Sequence, residues 1–459
     1  MTKKELICIH IGEAGCKIGN SFWDLLCNEY SINSNGSIEP STSTTKVNNE
    51  IFFEQSSAGK YIPRSIMIDL DTDCINEIKI GKMKNIYDPD NYIAGSGQLK
   101  AKKIYSYAYY EQSKNVLSKI KNTIRECVDQ CSNLEGFLIT RSLGGGTGSG
   151  LSASVFQHLS ETYSKKSRID LCLYPKLDSN PYIEEIYNSV LTTNSENRAC
   201  VSDKDLSIGF DNTILNKICN KNLEIKNPTM GNFNDIIGYF LSTLTNPIRH
   251  SGLLNTDIKS IIRNLVPFDK INYVVPSLVP ILSQSKVNFK KLDTQILTNN
   301  LFNEENQLLT VDLNSGKYLS CYLSYQGPDF TLHNIDTAIN KIQNSKSFNT
   351  TTYLTNGFKV ALTSFAPITN EILPKTTNSA LLLANSTSMS KIFQKLVDNF
   401  DEAAKGRKNF NKFVEYGMDE MELFEARETV QELIEKYRSL YDEPNNESAE
   451  EEIEEGGME

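Results

Sequence analysis

The sequence is poor in the residues that mark the easiest functional classes. Four histidines and ten cysteines are spread over 459 positions, and no C-x-x-C pair occurs. The spacing that a zinc site requires is missing, so the cysteines read as free thiols of a reducing compartment. No apolar run approaches the ~20 residues that span a bilayer, and no membrane role is expected. The apolar stretch behind Met1-Thr2-Lys3-Lys4 ends at a glycine turn and is too short for a signal peptide. Bases are absent where acids are dense: residues 442–459 hold nine acids and no base, out of a net charge of −10. Nucleic acid is disfavoured as a partner, because phosphate backbones need a basic surface. The acidic end is expected to be disordered and to attract basic partners. With 39% hydrophobic residues, the rest of the chain can bury a large core over two or three domains.

What the chain does have is Gly144-Gly145-Gly146-Thr147-Gly148-Ser149-Gly150, in which six of seven residues are Gly or Ser. The run lies between a strand-like segment, 136–140, and a helix-like segment, 151–162. Glycine admits positive φ and close approach, so consecutive N–H groups can face one anion. The following helix adds its positive end. Such a loop suits phosphates. It lacks the Gly-Lys-Ser/Thr ending of a P-loop, and it lies too deep in the chain for a dinucleotide fingerprint.

A second unit of the same kind stands at the start. Residues 6–11 read as a buried strand, Gly12-Glu13-Ala14-Gly15 as a tight turn and 18–30 as a helix. Residues 37–49 read as a polar surface loop. A strand at 66–70 ends in the acids Asp69, Asp71 and Asp73. Gly95-Ser96-Gly97 is a turn before Lys100, Lys102 and Lys103. A helix at 116–127 and a strand at 171–174 follow. Alternating strands and helices predict a parallel sheet covered on both faces, with ligands at the carboxyl ends of its strands. A helix at 233–244 is expected to stop at Asn246-Pro247. Strands at 273–275, 318–325 and 359–363 then suggest a second α/β domain. Segments 387–401 and 418–437 read as helices, with Ile392, Leu396, Val397 and Phe400 as a core stripe.

The glycine string resembles the signature of the tubulin and bacterial FtsZ superfamily. The resemblance to eukaryotic tubulin runs along nearly the whole chain. It includes Ile18-Gly19-Asn20, Phe22-Trp23, Gly59-Lys60, Pro63-Arg64 and Tyr187-Asn188. It continues through Asn264-Leu265-Val266-Pro267, Gly357-Phe358-Lys359, Asn385-Ser386-Thr387 and Gly417-Met418-Asp419-Glu420. Segments 18–30, 52–70 and 187–193 look alpha-like, whereas 417–422 looks more beta-like.

The resemblance implies an α/β fold: a parallel-sheet GTP-binding domain at 1–211, an intermediate α/β domain including a central helix at 212–384, C-terminal helices at 385–441 and an acidic tail at 442–459. It implies GTP and Mg2+ as cofactors. It also implies a beta-type tubulin as partner in a heterodimer and polymer, with motors and associated proteins on the C-terminal helices and tail, in the microtubules of the cytoplasm. Gly12, Glu13 and Ala14 would form one side of the phosphate site, and Ser142, Gly145, Gly146, Thr147 and Gly148 the other. Asp71 falls at the magnesium position and Glu185 at the ribose contact. Asn212 and Asn234 fall where two asparagines hold the guanine, and Met230 where an aromatic ring covers it.

Four positions depart from the family. Glu13 replaces a glutamine, Asp71 a longer glutamate, and Met230 an aromatic. A carboxylate beside phosphates is repulsive without a cation between them, so either Glu13 pairs with a lysine of the 100–103 stretch or the charges reflect drift in a weakened site. Ser260 stands where alpha-type chains carry the glutamate that reaches the next subunit's GTP. Serine has no carboxylate, so no catalytic residue is expected there. Three readings stay open: a polymer subunit that does not promote hydrolysis, a specialised or regulatory tubulin that caps or localises, and a weak self-activating GTPase using Asp257.

Overall fold

Every residue of Glu5–Ile11 (β1) is buried, and its side chains alternate between two cores. Leu6 and Cys8 face one cluster, Ile7, Ile9 and Ile11 the other. A strand with no polar face belongs inside a sheet covered on both sides. The computed structural model describes residues 4–38, 49–95, 103–178, 181–287, 293–345, 348–351, 357–366 and 368–442. Expectations at 39–48, Ser96, Gly97, Lys100, Lys102 and the tail beyond residue 442 lie outside these.

Helix α1 (Gly12–Glu29) follows β1 directly, then a hairpin of β2 (Phe53–Gln55) and β3 (Tyr61–Pro63). The first half continues through β4 (Ser65–Asp69), α2 (Thr72–Ile80), β5 (Tyr92–Ala94), α3 (Ser113–Asp129) and β6 (Leu134–Ser142). After these come α4 (Ser152–Thr162), β7 (Ser167–Tyr174), α5 (Ile183–Ala199), β8 (Asp205–Asp211) and α6 (Asn212–Lys221). A long helix, α7 (Met230–Arg249), leads to α8 (Ile258–Leu265), β9 (Tyr273–Val279), α9 (Gln284–Val287) and α10 (Thr294–Leu301). The second half closes with β10 (Tyr318–Gln326), α11 (Leu332–Gln343), β11 (Phe358–Thr363) and β12 (Ser379–Ser386). The chain then runs through α12 (Met389–Lys405), α13 (Phe410–Val414) and α14 (Glu420–Asp442).

The strands form one ten-stranded sheet in the order β11-β10-β12-β9-β8-β7-β6-β1-β4-β5. From β5 to β9 all neighbours are parallel, as the alternation of strands and helices predicts. The second half is mixed, with β12 antiparallel to both β9 and β10. Its strands do not make a separate sheet. Ser207 pairs with Tyr273 and Ile208 with Val274, which welds β8 to β9. Strand β8 was not legible in the pattern, because Asp205-Leu206-Ser207-Ile208-Gly209-Phe210-Asp211 interleaves polar residues, of which Asp205 and Ser207 are nevertheless buried.

Two local readings change. The 12–15 segment is not a separate turn: α1 begins at Gly12, whose φ of +76° makes the turn in a single residue. Helix α7 does not stop at Asn246-Pro247 but continues to Arg249. Proline at 247 lacks an N–H and turns its ring toward the carbonyl four residues back, Thr243. That freed carbonyl accepts a hydrogen bond from Gln326 Nε2 of β10. The Asn246 amide oxygen accepts from the Thr363 hydroxyl of β11 at 3.0 Å. The sheet thus supplies what the proline removes. The core stripe of α12 is as expected, with Ile392, Leu396, Val397 and Phe400 all buried.

Replacing Gln326 by Leu leaves the buried Thr243 carbonyl without a donor. The unfolding free energy in urea should drop by about 1–3 kcal/mol. An unchanged midpoint would mean that the helix tolerates Pro247 without the sheet.

Candidate nucleotide site

The two strand–glycine–helix units interlock backbone to backbone. A Cβ on Gly12 would lie 3.2 Å from Gly148 N and 3.6 Å from Thr147 Cβ. A Cβ on Gly148 would come within 2.5 Å of Ser142 O, and one on Gly145 within 3.0 Å of Ser142 Oγ. Gly15 is pressed equally close to the Thr140 carbonyl. The loop then winds one wide turn, Thr147–Leu151, before α4. Ser149 closes that turn, its N–H donating to Gly145 O at 2.9 Å and its hydroxyl to the same oxygen at 2.5 Å. Gly12, Ser142, Gly145, Thr147 and Gly148 are therefore brought together as a cradle that admits no side chain, with the starts of α1 and α4 beside it. Gly146 caps the wide turn, and Ala14 is partly buried on the first turn of α1.

Three buried polar groups hold the cradle from below, and the sequence reading named none of them for this role. Asn188 of α5 accepts from Tyr105 N at 2.8 Å and donates to Gly144 O at 2.7 Å and Lys103 O at 2.9 Å. It ties the glycine loop to the 103–105 segment. Arg141, fully buried, grips Asp170 at 2.7 Å and donates to Ser152 Oγ at 2.9 Å, at the start of α4. His10 receives the Trp23 indole N–H on Nε2 at 3.1 Å. Its neutral ring then carries the proton on Nδ1 and donates to Thr140 Oγ1 at 2.6 Å. The Thr140 hydroxyl passes on to Gly15 O at 2.9 Å. Burial lowers the His10 pKa to about 3, so the ring stays neutral. A lone His in an apolar strand was the available signal.

Acids gather at the mouth. Asp69 is 3% exposed; its Oδ1 accepts from Asp71 N at 3.1 Å, while Oδ2 is buried with no hydrogen-bond partner. Burial pushes its carboxyl up to about 6, reinforced by the charges of Asp71 and Glu13 and opposed by the Asp71 N–H and the Thr147 hydroxyl. Asp71 caps α2, accepting from Asp73 N at 3.0 Å. Lys100 and Lys102 lie outside the described residues; among the described ones a different lysine pairs with Glu13. Lys17, one turn along α1, holds it at 2.9 Å and reaches Glu77 of α2 at 3.4 Å. Lys103 instead lies near Glu185, whose carboxyl burial raises and the lysine charge lowers.

The other expected contacts sit at the starts of helices. Glu185 packs on the cradle, its Cβ 3.1 Å from where a Gly144 Cβ would be. Asn212 opens α6, and its Oδ1 is buried without a hydrogen-bond partner. Met230 opens α7, 52% exposed, and Asn234 follows one turn later, 8% exposed. Helix α7, which carries Met230 and Asn234, is tied to α1 where the Ser21 hydroxyl donates to Asp235 Oδ1 at 2.9 Å.

The residues fit a nucleotide with a hard cation. The cradle has no room for side chains, and Asn212 offers an unused buried acceptor. Among the described residues no three His, Cys, Asp or Glu side chains form a cage. A cation beside Asp69 and Asp71 would thus complete its shell from phosphate and water oxygens.

Ser260 is occupied by its own helix. Asp257 caps α8, accepting from Ser260 N at 2.7 Å, and Ser260 Oγ accepts from Asp257 N at 3.2 Å. Asp257 is also paired with Lys4, whose ammonium lies 3.6 Å from Glu135. The Lys4 ammonium and the Ser260 groups outweigh partial burial and hold the Asp257 carboxyl down at about 2.

Comparison with known proteins gives the same assignment across the chain. The model of the Tubulin/FtsZ family GTPase domain matches residues 5–220, and that of the Tubulin C-terminal domain residues 269–398. The tubulin alpha chain of Dictyostelium discoideum is 34% identical over 461 aligned residues, covering 98% of this chain and 99% of the relative. The tubulin alpha-1 chain of Saccharomyces cerevisiae is 33% identical over 439, covering 95% and 97%. The Trypanosoma cruzi alpha chain is 32% identical over 457, covering 98% and 100%.

Asn188→Ala should expose the dependence of the cradle on its staple. The buried Gly144 carbonyl and Tyr105 N–H and the part-buried Lys103 carbonyl lose their partner, so stability should fall by about 2–4 kcal/mol. Amide exchange of 144–150 should rise with it. Unchanged exchange there would mean that the glycine loop is held without α5.

Proposed function

The chain belongs to the tubulin family as a divergent alpha-like member, and from that premise we propose a GTP-binding microtubule subunit that pairs with a beta-type tubulin without promoting its partner's hydrolysis. The reading keeps four segments: a nucleotide domain at 1–211, an intermediate domain with α7 at 212–384, C-terminal helices at 385–441 and the acidic tail. Mg2+ would sit between the phosphates and the Asp69–Asp71 acids, neutralising charge there. The cradle residues would hold the phosphates, Glu185 the ribose, and Asn212 and Asn234 the base, with Met230 covering it. Associated proteins and motors would meet α12, α14 and the tail in the cytoplasm.

The observation that carries the hydrolysis part is the start of α8. Ser260 closes a capping box, and the neighbouring acid, Asp257, is committed to Ser260 N and Lys4. Neither leaves a free carboxylate to orient water toward a neighbouring nucleotide. The same commitment of Asp257 weighs against a self-activating GTPase. A lattice containing this chain would then keep GTP longer at that contact.

Ser260 is only partly buried in the first turn of α8, where the helix dipole favours a carboxylate. Ser260→Glu should therefore fold normally. In co-polymer with beta-type tubulin, GTP turnover should rise several-fold over the parent chain. Turnover that stays at the parent's level in an assembled Ser260→Glu polymer would overturn this reading.

A further inference from the structure

All ten cysteines are free thiols, and two of them meet across a seam between helices. Cys16 lies on α1, one turn past Gly12, and Cys74 on α2, with their thiols in hydrogen-bond contact. Backbone carbonyls fix both in place. The Cys16 thiol donates to His10 O at 3.5 Å and Ile68 O at 3.6 Å, and the Cys74 thiol to Glu13 O, in the first turn of α1, at 4.0 Å. The pair lies beside the acids of the mouth: Ile68 precedes Asp69 in β4, and Asp71 caps the helix that carries Cys74. A buried thiol is ordinarily a small apolar filler. Two thiols in contact on different elements can also be joined. Cys127 and Cys131 are neighbours too, but Cys131 Sγ only reaches back to Cys127 O at the end of α3, so a bond there would tie no second element. Exposure orders the pair, since Cys74 is 5% exposed and Cys16 not at all. Burial, then the neighbouring thiol and the Asp69 charge, push the Cys16 thiol well above its ordinary value, so it stays protonated. Helix α2 is nine residues long and buries only Cys74, Ile75 and Ile78, which makes it the side of the seam able to shift. Its charged tie to α1, from Lys17 to Glu77 at 3.4 Å, reaches into solvent and holds it weakly.

We propose that Cys16 and Cys74 form a reversible disulfide, made by hydrogen peroxide, that clamps α2 onto α1 at the mouth of the cradle. The Cys74 sulfur attacks the peroxide and keeps one oxygen as a sulfenic acid, while the other oxygen leaves as water. The Cys16 sulfur then attacks the Cys74 sulfur. The S–S bond forms, and the sulfenic hydroxyl leaves with the Cys16 proton as a second water. Each sulfur gives up one electron, and the peroxide is reduced to water. A small thiol such as glutathione reopens the bond by exchange, so a reducing compartment restores the pair. The sulfurs must close from contact to bonding distance, and α2 supplies that movement. The clamp fixes Asp71 and the end of β4 against the first turn of α1, whatever the cradle holds, and so stands apart from the nucleotide reading.

The test treats the folded full chain, co-purified with a beta-type tubulin, with hydrogen peroxide in small excess. Remaining thiols are alkylated in denaturant, and the chain is digested without reduction. Mass spectrometry should find the peptides of Cys16 and Cys74 joined in most molecules, and dithiothreitol should return both as free thiols. Amide exchange over 75–80 should slow by about tenfold in the joined form and recover on reduction. Cys16→Val should strand Cys74 as a sulfenic acid, so that dimedone labels it there and not in the parent. Melting temperature before oxidation checks the fold of that variant, and Cys74→Ala, which should leave Cys16 alkylatable after peroxide, gives a second reading. Recovery of both thiols unoxidised at a dose that oxidises Cys131 would overturn the proposal. So would a bond between Cys127 and Cys131 alone, or a bond of Cys16 to Cys74 that appears only once urea has opened the fold. Joined chains whose α2 exchanges as fast as before would overturn the clamp.

Discussion

The contact of Gly12 with Gly148 is the constraint from which the rest of the site follows. Two strand–turn–helix units meet there through bare backbone: a Cβ on Gly12 would press on Gly148, and one on Gly148 would strike Ser142 of its own strand. Because the turns touch, the starts of α1 and α4 are aimed at one place, with the wide turn Thr147–Leu151 completing the loop. The contact is enforced from beneath. His10 with Thr140 fixes α1 to β6, Arg141 fixes β6 to β7 and α4, and Asn188 draws α5 onto the loop. Each of these groups is buried and paired, so removing one partner leaves a costly orphan.

The second half of the chain is held to the first by shared secondary structure. Strand β9 extends the parallel sheet from β8, and α7 lies across both halves, against α1 on one side and β10 to β12 on the other. The exchange between Pro247, Thr243 and Gln326 shows how tight that fit is. A helix interior proline is tolerated because a strand of the second half provides the missing donor. The start of α8 sits just beyond, so the position of Ser260 is set by the same junction.

Local signals were enough for much of this. The uniform burial of β1, the glycine string and the helical stripe of α12 depend on neighbouring residues, and the sequence displays them. The unread features all need partners far along the chain. Lys4 with Asp257 spans 253 positions, Gln326 with Thr243 spans 83, and the welding of β8 to β9 joins residues 207 and 273. Polar residues inside β8 hid a central strand, since only its neighbours reveal that both faces are covered. The Glu13–Lys17 pair went unread for the opposite reason. A distant lysine was considered, while Lys17 stood one helical turn away. The alternation within a helix, once α1 is seen to begin at Gly12, makes that pair obvious.

The central claim is that the interlocked cradle holds a guanine nucleotide. The most direct measurement is the nucleotide content of the purified chain, co-expressed with a beta-type tubulin, released by denaturation and resolved by chromatography. The account predicts intact GTP, bound stoichiometrically to this chain, after repeated exchange of the partner's site. A cradle that comes through purification empty in saturating magnesium would contradict it. The protein would then be a tubulin-like scaffold whose glycine loop holds two helices together and nothing more.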